Sequence, residues 1–236
     1  MGTRIQYEDG DKPLEGYLSA LGDRQKRPGV LVVPTWLNVD ESICNRAARL
    51  RASGYTVLVA DLLGAGRRPA PSQPPPEVVA PFLADRLWFR RMVLAGLHTL
   101  QGHIECEASR VAAVGYCLGG CGVLELARSG APVRGVVSLH GILPAPIPAQ
   151  VGAITARVLA LHGDADPIAP FEQLTAFRDE MLRARANWEI NIYGDARHSF
   201  TGEGMPDRES PEAGLHEQSE GRSWRSTLEF LREVLA

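Results

Sequence analysis

The chain has 236 residues, of which 44% are apolar and 22% charged, with a formal net charge of −3. That balance describes a globular protein able to bury a core without disulfides or metals, and it gives no sign of nucleic acid or an anionic membrane as partner. No apolar run reaches membrane-spanning length, residues 1–9 lack the apolar core of a signal peptide, and Gly2 meets a myristoylation start only loosely because Gln6 stands where Ser or Thr is needed. A cytoplasmic protein with one domain over residues 1–236 is expected.

In chain order, residues 14–20 alternate loosely and predict an early antiparallel strand, and 21–28 a turn. Val30, Leu31, Val32 and Val33 form an apolar run suited to a strand buried on both faces of a parallel sheet. Residues 41–52 carry a helical pattern with Ile43, Ala47 and Leu50 on one face, closed by Gly54, and 56–60 are the next buried strand. The stretch 61–77, with Pro69, Pro71, Pro74, Pro75 and Pro76, predicts an irregular excursion at a strand's carboxyl end, where open α/β sheets place ligand sites. Residues 78–100 read as one long helical region bent near Pro81. Strands are predicted at 111–114, 133–139, 157–161 and 188–193, helices at 120–128, 171–185 and 224–235, and a loop over 201–221. Strands alternating with helices imply a doubly wound, mostly parallel sheet with helices on both faces.

Val111 to Val114 lead into Gly115, Tyr116, Cys117, Leu118 and Gly119. Strand, tight turn and helix form a nucleophile elbow with cysteine in the serine position. The turn strains the central residue, and Gly115 and Gly119 supply the room it needs. The following helix directs free N–H groups and its positive end at the sulfur. The competing reading is a glycine-rich turn around an ordinary buried cysteine. The other cysteines, Cys44, Cys106 and Cys121, match neither a zinc site nor a C-x-x-C pair, and Cys121 is expected to pack beneath the elbow. No metal or organic cofactor is implied.

A thiol nucleophile needs a base, and the base an orienting group. After the strand at 157–161 come Asp164 and Asp166, followed by Pro167, and after the strand at 188–193 comes His198. Either aspartate also suits a turn, and His198 alone would be a loop histidine. Their order along the chain after Cys117 favours an acid and a base. His140 and His162 sit at strand ends and read as structural, with His140 also a candidate for lining the pocket.

The stretches Gly115-Tyr116-Cys117-Leu118-Gly119-Gly120, His162-Gly163-Asp164-Ala165-Asp166-Pro167 and His198-Ser199-Phe200 resemble the dienelactone hydrolase family of the α/β-hydrolase superfamily, over nearly the whole chain. The resemblance implies the α/β-hydrolase fold, Cys117 as nucleophile, His198 as base and Asp166 as orienting acid. It also implies an oxyanion hole from the backbone N–H groups of Leu118 and Leu37. Two departures stand out. Members that hydrolyse dienelactone carry a glutamate where Trp36 stands, which leaves Cys117 to His198, the helix dipole, or Asp40 or Glu41. They also place an arginine shortly after the histidine, where Thr201, Gly202 and Glu203 stand, so Arg86 or Arg90 would have to replace it. Trp36, Tyr116, Arg86, Arg90 and His140 are the candidate pocket residues.

The expected activity is hydrolysis of a small-molecule ester or lactone, less anionic than dienelactone, through a thioester acyl-enzyme. The expected assembly is a monomer or dimer. Rival readings are a non-enzymatic small-ligand binder or thiol sensor, an acyltransferase, and carbon–carbon or carbon–halogen cleavage by fold analogy alone.

Overall fold

The apolar run at 30–33 divides its side chains between two cores. Leu31 and Val33 join one, with Leu58, Ala113 and Val136; Val30 and Val32 join the other, with Val57, Val114 and Val137. This is the period-2 consequence of a strand covered on both faces. The computed structural model describes residues 2–70, 73–205 and 210–236. Its strands are β1 (Thr3–Asp9), β2 (Lys12–Ser19), β3 (Arg27–Val33), β4 (Thr56–Val59), β5 (Cys106–Tyr116), β6 (Gly135–Leu139), β7 (Arg157–Gly163) and β8 (Asn187–Tyr193). Its helices are α1 (Glu41–Ala52), α2 (Pro75–Ala84), α3 (Arg86–Gly102), α4 (Leu118–Arg128), α5 (Phe171–Ala184) and α6 (Glu217–Val234).

The strands form one sheet in the order β1-β2-β4-β3-β5-β6-β7-β8. The pairings from β4 through β3 to β8 are parallel, while β2 runs antiparallel to both β1 and β4. Helices α1 and α6 cover one face, through Ile43, Ala47, Leu50, Phe230 and Leu231. Helices α2 to α5 cover the other, through Phe82, Phe89, Leu124 and Phe177 among others. The fold is the doubly wound, mostly parallel arrangement of the α/β hydrolases. From β3 the chain first adds β4 on one side and then crosses to add β5 on the other. The gap between the carboxyl ends of β3 and β5 is therefore the topological switch point, where such sheets hold ligands.

Five elements differ from the sequence expectation, β5 among them because it starts at Cys106 rather than at 111. β1 was not foreseen: its residues are exposed or half-buried, so only its pairing from Thr3 with Leu18 to Asp9 with Lys12 reveals it. The region 78–100 is two helices broken at Asp85, not one bent at Pro81, because the Asp85 carboxylate accepts the Trp88 N–H at 2.8 Å and starts α3 afresh. Helix α2 begins already at Pro75, a position where no N–H is needed, so the irregular stretch is shorter than expected; its residues 71 and 72, including Pro71, lie outside the described residues. The closing helix starts at Glu217 rather than at 224, and the shortened loop before it contains residues 206–209, also outside the described residues.

Candidate active site

Cys117 connects β5 to α4 with φ 53° and ψ −113°, a strained conformation for a residue with a side chain. Its neighbours permit it. A Cβ on Gly115 would lie 2.0 Å from the Gly119 carbonyl oxygen, so only glycine fits there. The strain turns the sulfur outward at the switch point, directly before the unpaired N–H groups of the first turn of α4.

His198 lies after β8 and is almost fully buried. Its Nε2 is 3.1 Å from Cys117 Sγ, and its Nδ1 is 2.8 Å from Asp166 Oδ2. Asp166 follows β7, and its Oδ1 accepts the N–H groups of Ile168 at 2.9 Å and Ala169 at 3.0 Å. Burial pushes the Asp166 carboxyl up, but His198 and those two N–H groups outweigh it and hold it below the usual carboxylate range. Burial likewise opposes charge on His198, yet the Cys117 sulfur and the Asp166 carboxylate raise it to about 10. Asp164 is exposed and takes no part.

Above Cys117 and His198 lies a cavity of about 630 Å³. Its walls are mostly apolar: Trp36, Val79 and Leu83 of α2, Ile142, Ile168 and Met205. Glu212 is the only carboxylate among the described lining residues, and no Lys or Arg is among them. Trp36 is anchored by its indole N–H, which donates to the Gly204 carbonyl at 2.9 Å.

Not every predicted pocket residue is there. Arg86 is buried against α4, its guanidinium on Cys121 Sγ and donating to the Pro144 carbonyl at 3.3 Å. Arg90 pairs with Glu125 at 2.9 Å. Neither is among the residues that line the cavity, so neither replaces the missing arginine. Tyr116 alternates with Cys117 and therefore points into the sheet's other core, 1% exposed. His140 is wholly buried behind His198, with Nε2 2.7 Å from Thr201 Oγ1. Asp40 caps α1 by accepting the Ile43 N–H at 3.0 Å, and Glu41 is exposed, so neither stands in for a glutamate beside the thiol. Leu118 opens α4 at the elbow. The N–H of Leu37 meets Thr35 Oγ1 at 3.2 Å, in a turn fixed by Asn38, whose amide donates to Asp61 Oδ1 at 2.7 Å.

With this geometry the comparison with known proteins is direct. The model of the dienelactone hydrolase family matches residues 14–235. The chain belongs to the dienelactone hydrolase family. A probable 2-oxo-3-(5-oxofuran-2-ylidene)propanoate lactonase from Bradyrhizobium is 28% identical over 87% of this chain and 83% of its own. A putative carboxymethylenebutenolidase from Salmonella typhimurium is 26% identical over 87% of this chain and 77% of its own. Among solved structures, the dienelactone hydrolase-like promiscuous phosphotriesterase P91 from metagenomic libraries superposes with a TM-score of 0.93 at 31% identity, covering 100% of this chain and 99% of its own.

As a dienelactone hydrolase-family protein, the chain is a hydrolase by kinship, and most residues of its apolar cavity wall are not among the pocket candidates of the sequence. In the sequence, Val79 and Leu83 belong to a helical stretch with no mark of a pocket, and Ile142, Ile168 and Met205 to loops. The usable signal was the apolar pair on a helix entered from a proline run at a strand's carboxyl end. Among the described residues, no group of three or more His, Cys, Asp or Glu is placed to hold a metal, and no helix is long and apolar enough to cross a membrane.

Proposed function

We propose that the protein hydrolyses neutral carboxylic esters or lactones through a thioester on Cys117. The observation that carries this is the unbroken hydrogen-bonded chain Cys117–His198–Asp166, on a strained elbow that opens into an apolar cavity. His198 Nε2, 3.1 Å from Cys117 Sγ, takes the thiol proton and leaves a thiolate as nucleophile. The thiolate adds to the carbonyl carbon, and the oxyanion meets the N–H of Leu118. The Leu37 N–H, whose bond to Thr35 Oγ1 is long, is the second donor through a three-centre bond. The tetrahedral intermediate collapses as His198 gives its proton to the leaving alkoxide, forming the thioester. His198 then takes a proton from water, hydroxide adds to the thioester, and collapse returns the thiolate with release of the acid.

The cavity supports a neutral acyl or alkoxyl group of some bulk: charge on the substrate would enter an apolar space with no Lys or Arg among its described lining residues. The kinship with P91 adds neutral phosphotriesters as a second substrate class, since an uncharged phosphoryl centre makes the same demands on the thiolate and the oxyanion donors. The test is a panel of aryl esters, lactones and a neutral aryl phosphotriester with wild type, Cys117→Ala and His198→Ala. The expected result is ester or lactone turnover that falls at least about 1000-fold in both variants. Turnover that survives either substitution would remove the assignment, and absence of all turnover would favour a binding protein.

A further inference from the structure

We infer that Arg46 is a positioning residue for His198, acting from α1 through Thr201 and His140; the inference rests on His198 being the proton carrier proposed above. Arg46 is buried with its guanidinium divided among three acceptors. Nη2 donates to the Thr201 carbonyl at 3.0 Å, Nη1 to Glu220 Oε1 of α6 at 2.6 Å, and Nε to Glu203 Oε1. Two of these acceptors lie on the segment that continues from His198. Thr201 passes the attachment on, because its Oγ1 is 2.7 Å from His140 Nε2. The His140 ring meets His198 edge to face, centroids 5.3 Å apart, and is backed by Phe200 at 5.2 Å.

The segment needs such an attachment. Ser199, Gly202 and Gly204 all have positive φ, a tightly wound path that holds only when its surroundings fix it. One side is tied by Trp36 to Gly204, and the other by Arg46. The ring of His198 is thus located by Asp166 at Nδ1, Cys117 at Nε2 and His140 at its edge. Nδ1 of His140 has no partner among the described residues, so Thr201 provides the hydrogen bond that orients this ring, and Arg46 holds Thr201. A displacement of a catalytic group by about 1 Å is enough to cost on the order of 100-fold in rate.

The experiment uses Thr201→Val, which removes one hydroxyl at nearly constant shape, and Arg46→Lys, which keeps the charge but not the three-way geometry. For each, kcat and KM are measured on a neutral aryl ester, normalised to titrated Cys117, together with the pH profile of Cys117 alkylation by iodoacetamide. His198→Ala is the reference. The expected result is a kcat lower by about 10- to 100-fold with KM within about twofold, and an alkylation profile displaced toward that of His198→Ala. An unchanged kcat and profile in both folded variants, with a normal His198→Ala effect, would overturn the inference alone. A His198→Ala profile identical to wild type would overturn the reading it rests on and the inference with it.

Discussion

Gly119 is pressed against Val33: a Cβ at 119 would lie 2.0 Å from the Val33 carbonyl oxygen. The elbow is thereby wedged against the end of β3, the strand whose following turn carries Trp36 and Leu37. Gly119→Ala would have to separate the two strand ends that frame the site. It is expected to destabilise the protein by about 3 kcal/mol or more in urea unfolding and to abolish ester turnover. Gly102→Ala, where a Cβ meets nothing within 4 Å, is the control and should be neutral or slightly stabilising.

The pH dependence follows from His198 and Asp166. His198 rises from its ordinary 6.5 to about 10, so its contribution to stability is fully present below 6.5 and is lost as pH rises through 10. Asp166 is lowered from 3.8, so its contribution is present above that value and is lost as pH falls through the lower folded value. Asp166→Asn removes the carboxylate that stabilises the imidazolium. The alkaline limb of kcat/KM is therefore expected to move from near 10 toward neutrality, as read from a pH–rate profile.

Helix α4 is held from its far end by a buried ion cluster. Arg128 donates to both carboxylate oxygens of Glu180, at 2.9 and 2.7 Å, and to Glu125 at 3.2 Å. Glu180→Ala leaves the guanidinium with one carboxylate in a dry environment and is expected to cost about 3–5 kcal/mol by denaturant titration. Replacing the pair together, by Arg128→Met with Glu180→Leu, should cost much less than the single change.

Selectivity against charged substrates is expected from the apolar cavity wall. A carboxylated aryl ester is expected to react with kcat/KM lower by at least about 10-fold than its neutral parent, because its charge would be desolvated near Glu212 with no Lys or Arg in the described lining. Val79→Arg, which places a guanidinium on the cavity wall, should narrow that ratio in a paired-substrate assay.

Much of this site was legible because its chemistry is local in sequence. Cys117 is marked by its flanking glycines and His198 by following β8, while the choice of Asp166 over Asp164, both after β7, came from the family resemblance. The close approach of Gly119 to Val33 is the steric reason that the motif has the form it does. The orientation of side chains across elements was not legible. Arg86 and Arg90 are cations at plausible distance in sequence, but the packing of α3 on α4 directs them to Cys121 and Glu125. The exposed strand β1 has no apolar alternation strong enough to announce it, and the break at Asp85 depends on one capping bond. Arg46 and Thr201, some 155 residues apart, meet only because α1 and the loop after β8 lie on the same side of the sheet.

The proposed reaction runs through the sulfur of Cys117. The most direct measurement is mass spectrometry of protein quenched during turnover of a slowly deacylated aryl ester, with the adduct mapped by peptide. The account predicts one acyl group on Cys117, labile to hydroxylamine and absent from Cys117→Ala. An acyl group on another residue, or full turnover by Cys117→Ala, would contradict it.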